Sequence, residues 1–365
     1  MNFEKRRSRL RKRLKPIGAS AFLITKMTNI RYLTGFTGSS AALFVGANHD
    51  VLLSDTRYET QLATECPDLE VEIRDSSSTM LDGLERITRQ SKFASLGIEA
   101  AQMVKSTFDQ LRTRLPQVDL ISTEGEVESL RAIKDKYEIA AIRKSIAINQ
   151  RSFEVIRAQL TAHQTEREIA HNLEHQMRQF GAAGVGFSPI VGVGARAALP
   201  HGVPGETKVG DAPFLLVDWG TSVDGYLSDL TRMIISGKTN AKFRKIYQTV
   251  LQAQLAAISA IGPGVALKEV DHAARKVITD AGFGKQFGHG TGHSFGLEIH
   301  ELPYLSPIHE GTLKTGMVVT VEPGIYLPGI AGVRLEDDVL VTKNGYEVLS
   351  NLPKELEQCT VHLGG

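Results

Sequence analysis

Residues 216–229 read Leu-Val-Asp-Trp-Gly-Thr-Ser-Val-Asp-Gly-Tyr-Leu-Ser-Asp, a pattern that predicts two short strands joined by a tight turn. We place the turn at Val223-Asp224, which sets Asp218 directly opposite Asp229, with their Cβ atoms about 5 Å apart. A turn at Asp224-Gly225, a dipeptide favoured in type I′ turns, would shift this register. Like charges that face each other destabilise a sheet unless a cation lies between them. The hairpin therefore predicts a site for positive charge.

A second hairpin is predicted around Pro328-Gly329. Glu322 and Glu336 lie the same distance on either side of Gly329. Antiparallel pairing about that turn would bring both carboxylates onto one face of the sheet. Two hairpins of the chain are thus each expected to carry a pair of acidic side chains.

Three histidines lie between the two hairpins. His289, His293 and His300 fall within twelve residues, in a chain that has 11 histidines in all. Four carboxylates a few Å apart would raise one another's pKa values strongly, which is a poor way to stabilise a fold. The same four carboxylates, with one neutral imidazole, balance the charge of two divalent cations. Paired metal ions about 3.5–4 Å apart generate hydroxide at neutral pH and polarise a carbonyl, so the residues predict a two-metal hydrolytic centre.

Composition narrows the class of protein. Hydrophobic residues make up 42% and charged residues 23% of the 365 residues, as in ordinary folded proteins. Lys and Arg total 42 against 41 Asp and Glu, which excludes a molecule whose overall charge attracts nucleic acid. Apolar runs such as 214–217 are far shorter than the roughly 18 residues of a membrane span. Two distant cysteines favour a reducing compartment, and we expect a cytoplasmic protein.

The N-terminus carries the one strongly biased stretch. Eight of the eleven residues 5–15 are basic. A nucleic-acid or membrane patch is one interpretation. We favour a first helix that buries Phe3, Leu10 and Leu14, leaves its cations in solvent and ends at 16–18.

The alternation of apolar and polar segments predicts an α+β protein with a smaller α/β domain at 1–130 and a larger domain at 131–365. In the first domain we expect strands at 21–24, 41–45 and 51–53 and helices at 78–91 and 101–115. In the second we expect a long helix that begins in the charged segment 124–136 and runs to about 159, further helices at 166–180, 240–261 and 267–281, and strands at 214–219, 226–235, 317–322 and 333–342.

Several motifs resemble those of the pita-bread metallopeptidases, the family of methionine aminopeptidase, aminopeptidase P and prolidase. They are Asp218 with Asp229 eleven residues later, Gly-His293-x-x-Gly, His300-Glu301, Val-Glu322-Pro-Gly and Arg-x-Glu336-Asp-Asp. The segments 29–35 and 55–58 resemble the creatinase-type N-terminal domain. The resemblance implies a pita-bread catalytic domain preceded by a creatinase-like domain. Ser294 and Met233 depart from the family's usual Gly and Thr.

The resemblance also implies a ligand set. Asp218 would chelate the first metal, and Asp229 and Glu336 would bridge both metals. His293 and Glu322 would complete the second. We expect the ions to be Mn²⁺, with Co²⁺ or Zn²⁺ as alternatives, because an oxygen-rich ligand set with one imidazole suits such metals.

Four further side chains match groups that surround the scissile bond in the proline-specific branch, namely His201, His289, His300 and Arg334. Glu322 would also pass a proton to the proline nitrogen. The implied substrate is a proline-containing peptide cleaved at its N-terminal Xaa-Pro bond, and the implied assembly is a homodimer.

Two enzyme activities share every motif quoted. A prolidase cleaves dipeptides, whereas aminopeptidase P takes longer peptides. The compact length of this chain favours a prolidase. A non-catalytic peptide- or nucleic-acid-binding relative is a third alternative, which the intact ligand set disfavours. We expect no nucleic-acid and no membrane partner.

Overall fold

The computed structural model describes residues 1–363, which fall into two compact units, Met1–Arg131 and the chain from Ala132 onward. Each unit mixes helices and strands, in agreement with the expected α+β class. Among the described residues, no helix combines the length and apolar character that a membrane crossing requires.

The first unit is built on a six-stranded sheet. Its elements are α1 (Phe3–Arg11), α2 (Leu14–Ile17), β1 (Ala21–Ile24), α3 (Met27–Thr34), β2 (Ala42–Gly46), β3 (Asp50–Asp55), α4 (Glu59–Glu65), β4 (Glu70–Arg74), α5 (Met80–Gln90), β5 (Ser95–Glu99), α6 (Lys105–Arg114), β6 (Asp119–Thr123) and α7 (Glu128–Arg131). The strand order is β4-β3-β2-β1-β5-β6, with the pairs of β2 antiparallel and the others parallel. The three strands and two helices expected in this unit are confirmed.

The basic N-terminal segment is structural, but its arginines are not all solvated. Arg6 donates to the carbonyl of Tyr32 at 2.9 Å, and Arg7 donates to the carbonyl of Leu33 at 3.0 Å and to Asp50 at 2.8 Å. Arg6 and Arg7 are each 3% exposed. The expectation that the helix leaves its cations in solvent is wrong for these two, because acceptors from distant segments complete their hydrogen bonding.

The segment forms two helices, α1 and α2, where one was expected. Leu10 and Leu14 are buried as expected, while Phe3 stays half-buried. The expected end at 16–18 is wrong for α1, which ends at Arg11; the separate helix α2 is capped by Gly18, whose φ of 75° is the left-handed conformation that glycine adopts readily after a helix.

The second unit holds two long helical pairs and several small antiparallel sheets. Its elements are α8 (Lys136–Ala158), α9 (Glu166–Gln179), β7 (Gly184–Val185), β8 (Ile190–Val193), β9 (Phe214–Trp219), β10 (Thr221–Val223), β11 (Tyr226–Leu227), β12 (Leu230–Ile235), α10 (Ala241–Ser259), α11 (Leu267–Asp280), β13 (Gly292–Ser294), β14 (Glu301–Leu305), β15 (Val318–Val321), β16 (Gly324–Leu327), β17 (Ala331–Arg334), β18 (Asp337–Thr342) and β19 (Gly345–Val348). The sheets are β12-β9-β8, β11-β10-β7, β14-β13-β15-β18-β19 and β16-β17. The expected helices of this unit are found, and β9 and β15 match the strands expected at 214–219 and 317–322. The strands expected at 226–235 and 333–342 are each interrupted, at 228–229 and at 335–336, so each forms two strands.

A capping box sets the start of α8. Its N-cap Asp135 accepts hydrogen bonds from the backbone N–H groups of Tyr137 and Glu138, and the backbone N–H of Asp135 donates to the Glu138 carboxylate. This capping box starts the helix at Lys136, the last residue of the charged segment 124–136 in which the helix was expected to begin. The box predicted at Thr165 is confirmed and starts α9.

Helices on both sides of the second unit hold the strands that carry the acidic residues. On one side Phe153 of α8 stacks on Trp219 with ring centroids 4.3 Å apart, and the Trp219 indole N–H donates to the carbonyl of Asn149 at 3.0 Å. On the other side Phe243 of α10 stacks on Phe214 of β9 at 4.1 Å. Strand β9 is thereby fixed at both ends.

Candidate metal centre

The first hairpin takes the alternative turn. Asp224 and Gly225 have φ of 53° and 83°, the positive values that a type I′ turn requires at both central positions. Val223 therefore pairs with Tyr226, and in the continuing ladder Asp218 pairs with Thr231. The expectation that Asp218 lies directly opposite Asp229 is wrong.

The two aspartates still share one face. Asp229 lies two residues before the partner of Asp218, which makes them diagonal neighbours on the same side of the ladder. Asp229 stands in a gap between β11 and β12. Gly220 lies between β9 and β10, and a Cβ at this position would lie 2.3 Å from the carbonyl oxygen of Ser228. The backbone there passes too close to Ser228 for any residue with a side chain.

The second hairpin has the predicted register. Gly324 pairs with Arg334 in the ladder β16-β17, and Val321 pairs with Asp337 in β15-β18. Glu322 and Glu336 face each other in the gap between these two ladders. One oxygen each of Asp218, Asp229 and Glu336 lie within 4.8 Å of one another.

His293 on β13 completes the cluster. Its Nε2 lies 3.3 Å from Glu322 and 3.6 Å from Asp229. Its Nδ1 lies 3.1 Å from the carbonyl of Ser294, to which a neutral ring would donate. That tautomer leaves the Nε2 lone pair directed at the carboxylates, which suits a metal ligand. The structure thus brings together all five side chains that the motifs single out.

The donor set fits divalent cations. Oδ1 of Asp218 and Oε1 of Glu336 are buried and have no hydrogen-bond partner among the described residues. Burial, and then the charge of neighbouring carboxylates, raises the pKa of Asp229 and of Glu336 well above the ordinary value. Burial would also raise the pKa of Glu322, but the hydrogen bond and charge of His293 outweigh it and lower that pKa to about 2. Orphaned, mutually repelling carboxylates of this kind call for additional positive charge.

Arg334 links the two hairpins. Its buried guanidinium donates to Asp218, to the hydroxyl of Thr231 at 3.0 Å and to the hydroxyl of Tyr326 at 2.9 Å. Tyr326 in turn lies 3.0 Å from Nε2 of His289, and burial lowers the pKa of that histidine. The guanidinium donors are thus engaged by the protein, so Arg334 orients Asp218.

A cavity of about 720 Å³ opens onto the cluster. Its polar lining includes His201, His289, His300 and Arg334, together with Asp218, Asp229, His293 and Glu322. His300 is exposed and meets the ring of His293 edge to face, with centroids 4.5 Å apart. Much of the remaining wall is apolar, including Phe187, Ile190, Val203 and Ile308. All four predicted residues around the scissile bond therefore line one cavity.

Lys134 is a buried cation that the sequence analysis missed. Its ammonium donates to the hydroxyl of Ser294 at 2.6 Å and lies 3.3 Å from Glu301, which follows His300. Lys134 therefore contacts both Ser294, which follows His293, and Glu301, which follows His300. Ser294, where the family's pattern has Gly, was the clue available in the sequence.

Thr231 and Tyr326 were missed as well. Thr231 donates to Glu336 at 2.7 Å, and Tyr326 joins Arg334 to His289. Register alone could have placed Thr231 beside Asp218 had the Asp224-Gly225 turn been chosen.

Comparison with known proteins extends over nearly the whole chain. Residues 140–343 match metallopeptidase family M24, and residues 6–133 match the creatinase/prolidase N-terminal domain. The uncharacterized peptidase YqhT of Bacillus subtilis is 35% identical over 348 residues, which cover 95% of this chain and 98% of that protein.

Solved structures agree with this match. An Xaa-Pro dipeptidase from Bacillus anthracis has a TM-score of 0.94 at 36% identity and covers 97% of this chain and 99% of its own. An X-Pro aminopeptidase from Thermotoga maritima has a TM-score of 0.87 at 34% identity and covers 94% and 99%.

Proposed function

Because this chain belongs to metallopeptidase family M24, we propose that it hydrolyses the bond between an N-terminal residue Xaa and a following proline, with dipeptides as its main substrates. The proposal is carried by the cluster of four carboxylates and one imidazole, of which Asp218, Asp229, His293 and Glu322 line a peptide-sized cavity. The likeness to a Bacillus anthracis Xaa-Pro dipeptidase supports the choice of bond.

Five residues would hold two metal ions. In this assignment Asp218 would hold one ion, His293 and Glu322 would hold the other, and Asp229 and Glu336 would serve both. When bound, such a pair polarises a carbonyl and lowers the pKa of water. The oxygen-rich donors favour Mn²⁺, with Co²⁺ and Zn²⁺ as alternatives.

The chain's own side chains supply the proton transfer and the orientation. Glu322, kept ionised by His293, can take a proton from the attacking water and return it to the proline nitrogen. His201 and His300 line the cavity and can donate to the oxygen of the scissile carbonyl. None of these contacts uses a substrate N–H, so the reaction does not require the N–H donor that proline lacks.

The test is a substrate series on enzyme first stripped of metal and then given Mn²⁺, Co²⁺ or Zn²⁺. We expect cleavage of Xaa-Pro dipeptides that requires added metal and is absent for matched Xaa-Ala dipeptides. Full activity in stripped enzyme with chelator present would contradict the two-metal assignment. Equal turnover of Xaa-Ala would contradict the choice of bond.

A second candidate activity is the removal of Xaa from longer Xaa-Pro peptides. The likeness to the Thermotoga maritima X-Pro aminopeptidase favours it. Comparing Xaa-Pro with Xaa-Pro-Yaa and longer peptides under the same metal separates the two, since a dipeptidase loses turnover as soon as the peptide is extended.

We further propose a cytoplasmic homodimer. The buried free thiols of Cys66 and Cys359 support a reducing compartment, and the resemblance to the metallopeptidase family supports the dimer. Light scattering of the purified protein measures its mass against the 39.8 kDa of one chain.

A further inference from the structure

A fully buried carboxylate lies behind the cavity wall. Glu166 is the first residue of α9 and is 0% exposed, yet it is not among the residues that line the cavity. An ionised group removed from water in this way needs strong partners. The partners of its carboxylate all lie between Val193 and Gly205.

The partners close that segment at both ends. One Glu166 oxygen accepts from the backbone N–H of Val193 at 2.8 Å, and the other accepts from the backbone N–H of Gly205 at 2.8 Å. The guanidinium Nε of Arg196 lies 2.9 and 2.8 Å from the two oxygens. Arg196 also donates to the carbonyl of Val203 at 2.7 Å. One carboxylate therefore joins the beginning and the end of the segment.

We call residues 194–205 the His201 loop. Its second half, from Pro200 to Pro204, lines the cavity, and His201 itself is exposed there. Its first half lies against β17, because a Cβ at Gly332 would fall 1.9 Å from the carbonyl oxygen of Ala197. The loop is thus held from behind by Glu166 and from below by the strand that carries Arg334.

We propose that Glu166 is a positioning residue that sets the place of His201 through the ends of its loop. This inference rests on the proposed function, because it assigns His201 to substrate binding. A hydrogen-bonding group displaced from its partner weakens that bond, and the loss of one such bond is on the order of tenfold in substrate affinity. The cost falls on substrate binding, since neither Glu166 nor Arg196 contacts the five metal-ligand candidates.

The main test compares Glu166→Gln with Glu168→Gln, two changes on the same turn of α9. Gln at 166 keeps one acceptor oxygen, but its NH₂ group would face a backbone N–H, where no hydrogen bond can form. The amide also lacks the negative charge that pairs with Arg196. Gln at 168 still completes the capping box with Thr165. For Glu166→Gln we expect KM for an Xaa-Pro substrate to rise about 10-fold, with kcat and bound metal within about twofold. Glu168→Gln should match the unmodified enzyme.

A double-mutant cycle shows whether the effect passes through His201. On a His201→Ala background, Glu166→Gln should change KM by less than about threefold, because the group it positions is gone. A full and additive rise in KM on that background overturns the proposal, as does loss of bound metal in Glu166→Gln. Arg196→Met, at a half-exposed site, provides the same comparison if Glu166→Gln fails to fold.

Hydrogen exchange separates this proposal from the proposed function. Exchange at residues 193–205 should quicken in Glu166→Gln and not in Glu168→Gln, whether or not the enzyme cleaves Xaa-Pro. Unchanged exchange there overturns the inference while leaving the activity standing. Quickened exchange in a protein without Xaa-Pro activity overturns the role assigned to His201 along with the proposed function.

Discussion

Asp229 is the residue on which both proposed metal positions depend. It lies 3.6 Å from His293 and within 4.8 Å of the other two clustered carboxylates. We expect Asp229→Asn to lose bound metal and to lower activity by more than the roughly 10- to 100-fold typical of losing a residue that merely orients a ligand. Metal analysis and turnover are measured on the same sample.

Asp224 provides the matched control. It occupies the turn of the same hairpin, is exposed, and has a positive φ that Asn also tolerates. Asp224→Asn should keep both metal and activity. Equal loss in the two variants would mean that the hairpin's fold, rather than the carboxylate of Asp229, had been damaged.

His300 is expected to act on charge that develops in the transition state. It lies in the cavity wall beside His293, and its partial burial, followed by the charge of His293, lowers its pKa, so its neutral form can donate at neutral pH. A donor aimed at a developing oxyanion contributes about 3–4 kcal/mol, on the order of 100- to 1000-fold in kcat.

The measurement is kcat of His300→Ala at saturating metal, with metal stoichiometry determined in parallel. A large fall in kcat with both metals bound supports the donor role. Recovery of activity on adding more metal would show instead that His300 serves the ligands.

Among elements, the two hairpins show what the sequence can and cannot determine. Pro328-Gly329 offers one plausible turn, and the register of Glu322 with Glu336 follows from it. The first hairpin offers two overlapping turns, and the choice depends on positive φ at Asp224. A shift of that turn by one position moves facing residues by two, which keeps Asp218 and Asp229 on one face and changes which residue lies opposite.

Contacts between distant segments were beyond the sequence. The apolar residues Leu10 and Leu14 were predicted to be buried, but no local pattern indicates that Arg6 and Arg7 donate to the carbonyls of Tyr32 and Leu33. Tyr326 is a similar case, because its partners Arg334 and His289 belong to different segments of the chain and meet only in the folded structure.

Substitutions of the arginines in α1 test which of them contribute to the stability of the fold. Arg7→Ala removes a buried hydrogen-bonded pair with Asp50, although Arg11 still contacts that carboxylate. We expect a loss of about 2 kcal/mol, typical of hydrogen bonds to a charged group. Arg9→Ala, at an exposed position, should stay within about 0.5 kcal/mol.

Urea midpoints measure these changes, and turnover of a small Xaa-Pro substrate should be unaffected by Arg9→Ala. Tight binding of the intact protein to nucleic acid, weakening steeply with salt and with Arg9→Ala, would revive the binding-patch interpretation.

For the whole molecule, the carboxylate cluster links stability to pH and metal. The pKa values of Asp229 and Glu336 are raised in the metal-free fold by burial and by neighbouring carboxylates. This contribution to stability is therefore fully present below the unfolded pKa of about 4 and is lost as pH rises through the folded values. We expect the Tm of stripped protein to fall as pH is raised from about 5 to about 8.

Bound cations should offset that loss. Mn²⁺ at about 100 times its Kd adds about 2.7 kcal/mol to the free energy of unfolding, and the gain in Tm should grow with pH because protons compete with metal for the carboxylates. Calorimetry with and without Mn²⁺ measures both slopes. A gain that is the same at every pH, or that persists in Asp229→Asn, would contradict this linkage.

The two cysteines have a practical consequence for labelling. Cys66 and Cys359 are 4% and 5% exposed, and burial raises the pKa of both thiols, so maleimide dyes should react with them slowly. A cysteine introduced at Val203, which is 81% exposed in the cavity wall, would then be the preferred attachment point for a fluorophore. A dye at that position would report the arrival and departure of peptides in real time, without removal of either native thiol.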